Sequence, residues 1–249
     1  MIKLSRAEEV PQILIDNQTK WTDNLLALVA QHGTYKDIPK DIKEAALKHY
    51  RHQDIKDVLF GTTSNKCAFC ESFPADSGNI EVEHFNPKSL YPNQAFEWNN
   101  FLPSCRKCNG AKDDHDTISE PIINPYDDNP EDYLEVDTIQ LKGKNEKGNK
   151  TIEVCGLSGI RIWRPYADLL VQFKTYELNV TDAMQDYNEA KTSSNKRRKL
   201  QALQNSIDTI NDLRNPKSKY SFFCNQMVSK SEVFAQAESL LKEHEASQV

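Results

Sequence analysis

Cys67-Ala-Phe-Cys70, Ile80-Glu-Val-Glu-His-Phe-Asn-Pro-Lys88 and Cys105-Arg-Lys-Cys108-Asn-Gly-Ala-Lys112 are the stretches whose reading decides the fold. A CxxC turn presents two thiolates at the bite that zinc requires, and a second CxxC after residues 71–104 completes a four-sulfur set. A closed four-cysteine site leaves no coordination position open, so this zinc is expected to be structural. Disulfides, or four unrelated buried thiols, are the other ways to use these cysteines. A reducing compartment disfavours the first. Cys155 and Cys224 stand alone and read as ordinary buried thiols.

The residues framed by the cysteines carry the chemistry. Ile80 and Val82 alternate with Glu81 and Glu83, the period of a half-buried strand, and Phe101–Ser104 reads as a second short strand. A helix is expected from Asn109 onward, giving a ββα unit. His84 stands at the strand end, where a neutral imidazole can take a proton from water. Glu83 offers a hard oxygen suited to Mg2+ or Mn2+; a plain surface pair is the bland alternative. Asn109 is a candidate second oxygen ligand, or simply a helix cap. Lys112, one turn later, is expected to meet a phosphate, or to be solvated. Asn100 can tie the loop after His84 to the second strand and so orient the ring; Asn99 competes for that task. Arg106 and Lys107 are candidate contacts to a nucleic-acid backbone.

The flanks read as helical. Trp21, Leu25, Leu28 and Val29 recur at helix spacing before Gly33. Ile42, Ala46, Leu47 and Tyr50, then Ile55, Val58 and Leu59, continue the pattern. After the Pro/Asp/Asn-rich stretch 121–132, residues 134–141 and 151–157 read as a hairpin around the loop 142–150. Leu200, Leu203, Ile207 and Ile210 form a helical stripe that must end before Pro216, and Ser229 with Glu232 has capping-box spacing ahead of Val233, Ala237, Leu240 and Leu241. The organisation expected is an N-terminal helical segment 1–60, a zinc-braced core 61–125, a connector and β-hairpin 126–160, and a C-terminal helical segment 161–249. The fold class is α+β, mostly helical.

The chain has 249 residues with 31 Lys+Arg against 37 Asp+Glu, a net charge of -6. Phosphate neutralisation supplies most non-specific nucleic-acid affinity. An acidic chain is therefore a poor free-standing, promiscuous DNA binder; its cations are clustered or a partner does the holding. The basic runs Lys142–Lys150 and Lys196–Lys199 are further candidate contacts to a nucleic-acid backbone, and read more simply as a solvated loop and a helix start. Mean hydropathy is -0.70. The longest apolar stretch, Leu25–Ala30, is too short to span a bilayer, and the first residues lack the apolar core of a signal peptide, which predicts a cytoplasmic protein. No Walker A pattern is present.

Glu83-His84, Asn100, Asn109 and Lys112 together resemble the HNH nucleases with a ββα-metal core, in their His-Asn-Asn variant and zinc-braced subgroup. The resemblance implies His84 as general base, Glu83 and Asn109 as ligands of a catalytic Mg2+ or Mn2+, Asn100 as the residue that orients His84, and Cys67, Cys70, Cys105 and Cys108 on structural Zn2+. Glu83 stands where Asp is commoner, which lengthens the arm and keeps the ligand type. The strings CAFCE, EVEHFNPKSLYP, FEWNNFLPSCRKCNGAKDD and IINPYDDNPEDYL are similar to PtuB, the HNH subunit of Septu-type antiphage systems, including retron-associated ones. That resemblance covers roughly residues 60–165. It implies an ABC-like ATPase partner (PtuA), a nucleic-acid substrate (DNA or tRNA) and, in retron-linked systems, a reverse transcriptase with its DNA product; the helical flanks before residue 60 and after 160 are the docking surface expected for such a partner. A stand-alone HNH restriction or homing endonuclease, and a non-catalytic zinc-bound nucleic-acid adaptor, are the competing readings.

Overall fold

The computed structural model describes residues 1–77 and 80–246. Gly78 and Asn79, within the expected core, and the last three residues of the expected C-terminal segment lie outside the described residues. The chain divides into two compact units, Met1–Glu135 with Leu141–Ser158, and Val136–Gln140 with Gly159 onward.

In the first unit, helices α1 (Gln12–His32), α2 (Lys40–Leu47) and α3 (Gln53–Gly61) precede the cysteine frame. Helix α1 stops at Gly33, whose φ of 90° is costly for any side chain bearing a Cβ. Strands β1 (Ile80–His84) and β2 (Phe101–Cys105) pair antiparallel, with Ile80 opposite Cys105 and His84 opposite Phe101. Helix α4 (Arg106–Lys112) follows without a break. One apolar core joins these parts: Leu14, Leu25, Leu47, Tyr50, Ile55 and Leu59 from the helices meet Val82, Phe96 and Phe101 of the ββα unit. The helices before residue 60 are thus built into the core around the site. Ile42, expected on the apolar face of α2, is instead exposed.

The expected hairpin is shorter than its sequence pattern suggested. Strands β3 (Leu134–Asp137) and β4 (Gln140–Gly143) close at Thr138, which has a positive φ of 57°. Residues 151–157 are not a strand, because helix α5 (Glu146–Val154) takes most of them. Asn145 caps that helix by accepting from the Gly148 N–H. In the helical form the Thr151 hydroxyl, fully buried, donates to the Lys147 carbonyl and accepts from the Ile123 N–H. A strand could not make both bonds. The basic run at 142–150 is largely satisfied within the fold: Lys147 pairs with Asp128 at 2.7 Å and Lys150 with Glu120 at 3.0 Å.

The second unit is helical, built from α6 (Ile160–Glu189), α7 (Ser193–Arg214), α8 (Ser221–Ser229) and α9 (Glu232–Ala246). Its core is Phe173, Val180, Leu203, Ile207, Ile210, Val228, Phe234, Ala237 and Leu241. The α9 cap is Ser231, whose hydroxyl accepts from the Phe234 N–H; Ser229, expected in that role, is the last residue of α8. Lys196, Arg197 and Arg198 are exposed on the first turns of α7. No helix among the described residues is long and apolar enough to cross a membrane.

Candidate active site beside a four-cysteine centre

Cys67, Cys70, Cys105 and Cys108 converge with all four sulfurs within 4.8 Å of one another, and all four are buried. Cys70 Sγ and Cys105 Sγ are 3.8 Å apart. A disulfide needs about 2.05 Å, whereas sulfurs held tetrahedrally at about 2.3 Å from zinc stand about 3.8 Å apart. The cluster thus fits a structural zinc. Local sequence makes the two knuckles. The Cys67 N–H bonds the Ser72 carbonyl, the Ala68 N–H bonds the Pro103 carbonyl of β2, and Glu71 takes a positive φ of 59° to close the turn. Cys105 caps α4 by accepting from the Cys108 N–H. The helix therefore starts at Arg106 rather than at Asn109, and Asn109 is an interior helix residue, not a cap. Beneath the first knuckle, buried Lys66 and Glu71 pair at 3.1 Å.

Strand β1 presents Glu81 and Glu83 from one face, about 6.8 Å apart along the strand. Helix α4 crosses that face with Asn109 and Lys112, about 4.5 Å apart along its axis. The two sets interlock. The Asn109 amide donates to Glu81 at 2.6 Å, and the Lys112 ammonium pairs with Glu83 at 2.7 Å. Lys112 also donates to the His84 carbonyl at 2.9 Å and is 1% exposed. The expectation of a phosphate-facing or solvated Lys112 therefore gives way, since its side chain turns inward and its charge is spent on Glu83. Burial pushes the Glu83 carboxyl up to about 7, while the Lys112 ammonium pulls against that rise.

His84 is 3% exposed, with its ring held from three sides. Nε2 lies 2.9 Å from the Ala95 carbonyl, which can only accept, so Nε2 carries the proton and the Nδ1 lone pair is left. Tyr50 meets the ring edge-on at 4.6 Å and Phe101 at 5.2 Å. Burial first, and then the Lys88 charge, hold the imidazole well below its ordinary value, so it is neutral at neutral pH. Asn100 is buried and fastens the loop that follows: it accepts from the Asn86 N–H at 2.7 Å and donates to the carbonyls of Asn86 and Gln94. Asn99 is exposed. Arg6 donates to the carbonyls of Trp98, Asn99 and Phe101 and braces the turn that carries Asn100.

A cavity of about 300 Å³ opens beside these groups, lined by Glu83, His84, Asn109, Lys88, Asp113 and Tyr35 among others. Glu83 and Asn109 bring hard oxygens to it, a donor set that Mg2+ accepts when water and phosphate complete its shell. Arg106 and Lys107 are exposed on the first turn of α4 and do not line this cavity. Three contributors escape a reading of the sequence. The strand period could have revealed Glu81 as the partner of Asn109. Tyr50 looked like core and is also a wall of the His84 site. Lys88 sits in the quoted loop with no spacing signal to single it out.

Two outcomes follow. Chelation of zinc, or Cys105→Ser, should release the metal and bring down the melting transition of the first unit, while the second unit, which holds no cysteine of the cluster, keeps its transition. Two-transition calorimetry with metal analysis checks this. Removing one partner of the buried Glu83–Lys112 pair should cost about 3–5 kcal/mol, and the double replacement Glu83→Gln with Lys112→Met should recover much of it. The pH dependence has a definite sign. Because Glu83 is raised from 4.5 to about 7, its contribution to stability is complete below about 4.5 and is lost as pH rises through about 7. Lys112→Met removes the opposing charge, so urea melts should show it costing more at pH 8 than at pH 5.

No protein-family model matches the chain. Two relatives do. It is 43% identical over 125 residues to the Septu protein PtuB of Bacillus thuringiensis, covering 49% of this chain and 48% of that protein. It is 26% identical over 168 residues to the Septu protein PtuB of Bacillus mycoides strain KBAB4, covering 54% and 57%. The chain thus spans about half the length of the curated relatives it matches, and over that half it is a homologue of the Septu protein PtuB.

Proposed function

We propose that the chain is a metal-dependent HNH nuclease that hydrolyses phosphodiester bonds in nucleic acid, acting as the effector subunit of a Septu-type antiphage complex. One observation carries the reading: a neutral His84, its Nε2 proton given to a backbone carbonyl, lines one cavity with Glu83 and Asn109. His84 Nδ1 is the base that takes the proton of the attacking water. Glu83 and Asn109 would hold Mg2+ or Mn2+, which when bound stabilises charge on the phosphate and the leaving oxygen. Asn100 acts at a distance, setting the loop whose Ala95 carbonyl orients the ring. The Lys112 ammonium holds Glu83 in place until a divalent cation competes for it.

The acidic balance of the chain supports a partner that holds the nucleic acid, and the PtuB homology points to an ATPase of the PtuA kind, with a retron reverse transcriptase as a further associate in some systems. The helices before residue 60 are committed to the core around the site, so the second unit is where such a partner would dock. Arg106 and Lys107, exposed at the start of α4, would meet the backbone away from the scissile bond.

The test is cleavage of plasmid DNA and of total tRNA with Mg2+ or Mn2+, by the chain alone and with any ATPase that co-purifies with it. His84→Ala should lower the rate by about 10²–10⁴. Asn100→Ala should lower it less and shift its pH profile, because the ring loses orientation rather than chemistry. Cutting by the purified chain alone would favour a stand-alone restriction or homing endonuclease. Equal behaviour of wild type and His84→Ala, with the partner active, would leave a zinc-bound adaptor as the correct description.

A further inference from the structure

The cavity beside His84 contains an ammonium group that the fold leaves without a hydrogen bond or ion pair. Lys88 follows His84 by four residues, in the loop that Asn100 fastens, and lines the cavity with Glu83, His84 and Asn109. It is only partly exposed. Its Nζ stands 5.5 Å from the centre of the Tyr50 ring, on which His84 also rests. Among the described residues it makes no hydrogen bond and no ion pair, whereas Lys112 has spent its charge on Glu83 and the His84 carbonyl. Partial enclosure without such a partner is costly for an ammonium, and an aromatic face replaces only part of the lost water. The next residue has the same character. The Ser89 hydroxyl is buried with no hydrogen-bond partner, and Ser89 lines the same cavity.

Two adjacent donors left unsatisfied at the wall of one cavity are prepared for an anionic oxygen, which would accept charge-assisted bonds from both. Glu83 is not that anion. Its bonded cation is Lys112 at 2.7 Å, and Lys88 feels its charge without a hydrogen bond or ion pair to it. A structural origin is also disfavoured, because a lysine kept for packing would bond to a carbonyl or a carboxylate, as Lys112, Lys66 and Lys147 do.

We propose that Lys88, assisted by the Ser89 hydroxyl, receives a non-bridging oxygen of the phosphodiester in this cavity, the task that sequence spacing had given to Lys112. The assignment deepens the nuclease reading and rests on it. Lys88 is then a substrate-binding cation placed by the same loop that orients His84, so one element sets both the base and the phosphate.

The experiment uses the full chain, with the ATPase if cutting requires it, and whichever of plasmid DNA or tRNA the wild type cuts. Lys88→Met keeps the alkyl stem and removes the charge; Lys88→Arg keeps the charge. Cleavage by Lys88→Met should fall by about 10²-fold, with partial retention in Lys88→Arg. In a His84→Ala background, titration of the fluorescein-labelled nucleic acid over a range of KCl concentrations should show a slope of log K against log salt smaller by about 0.7–0.9 once Lys88 is replaced by Met, the signature of one lost phosphate contact. The melting temperature of Lys88→Met should hold or rise, since an unpaired enclosed ammonium is removed. A lowered melting temperature with an unchanged salt slope would make Lys88 structural and overturn the proposal. So would a wild-type cleavage rate in Lys88→Met while His84→Ala is inert, an outcome that leaves the nuclease reading standing. If His84→Ala cuts like the wild type, the nuclease reading itself fails, and the proposal with it.

Discussion

Four sulfurs within 4.8 Å of one another set the position of everything else in the site. Cys105 is at once the last residue of β2, the cap of α4 and a member of the cluster. Fixing it fixes where the strand ends and in which direction the helix leaves. Cys108, one helical turn on, fixes the rotation of α4 about its axis, and that rotation decides that Asn109 and Lys112 face β1. The first knuckle then ties the cluster to β2 through the Ala68–Pro103 bond. A cluster of this kind contributes little to catalysis directly. It sets the angle between a strand bearing two carboxylates and a helix bearing an amide and an ammonium, and that angle makes the site.

Charge is distributed in a way the overall count conceals. The chain is acidic, yet buried charges near the site are paired: Lys112 with Glu83, and both Lys66 and the Met1 ammonium with Glu71. Buried pairs of this kind are weak evidence of stability, because desolvation consumes most of their attraction. Their use here is positional. A carboxylate held by an ammonium at 2.7 Å is kept facing the cavity, yet it is raised to about 7 and so stands close to the balance between its charged and neutral forms. A cation that binds it must therefore displace a proton from part of the population, which makes its binding stronger as pH rises through about 7.

How much of this was legible depended on whether the signal was chemical or tertiary. Cysteine spacing is chemistry, and it located the cluster. The alternation of Ile80 to Glu83 is geometry, and it located β1. Two errors share one cause. A helix from Asn109 onward is the expectation, with Asn109 itself a candidate cap, but the sulfur of Cys105 takes that task and the helix starts at Arg106. Residues 151–157 read as strand because Thr, Ile and Val favour strands, but the buried Thr151 hydroxyl bridges the Lys147 carbonyl and the Ile123 N–H, and only a helix allows both. In each case a side chain filled a backbone valence that propensity had assigned elsewhere. Tyr50 shows the limit from the other side. An aromatic residue on a helical stripe announces burial and says nothing about which ring its edge will meet.

Lys112 lies on the expected face of α4 but turns inward to Glu83 and the His84 carbonyl, and the reason bears on the whole site. Spacing puts Asn109 and Lys112 on one face of a helix but cannot say whether that face looks to water or to a strand. Once α4 lies on β1, the longer side chain reaches the buried acid and the shorter one reaches the more exposed acid. On the proposed reading, the phosphate-facing cation comes from the segment that packing leaves over, the loop from Phe85 to Gln94. That loop cannot be slack, because the Ala95 carbonyl at its end holds the proton of His84 and Asn100 fastens both of its shoulders. A single asparagine thereby fastens both the turn whose Ala95 carbonyl faces the imidazole and the loop that carries Lys88, and on the proposed reading it belongs to the site without touching a reacting atom.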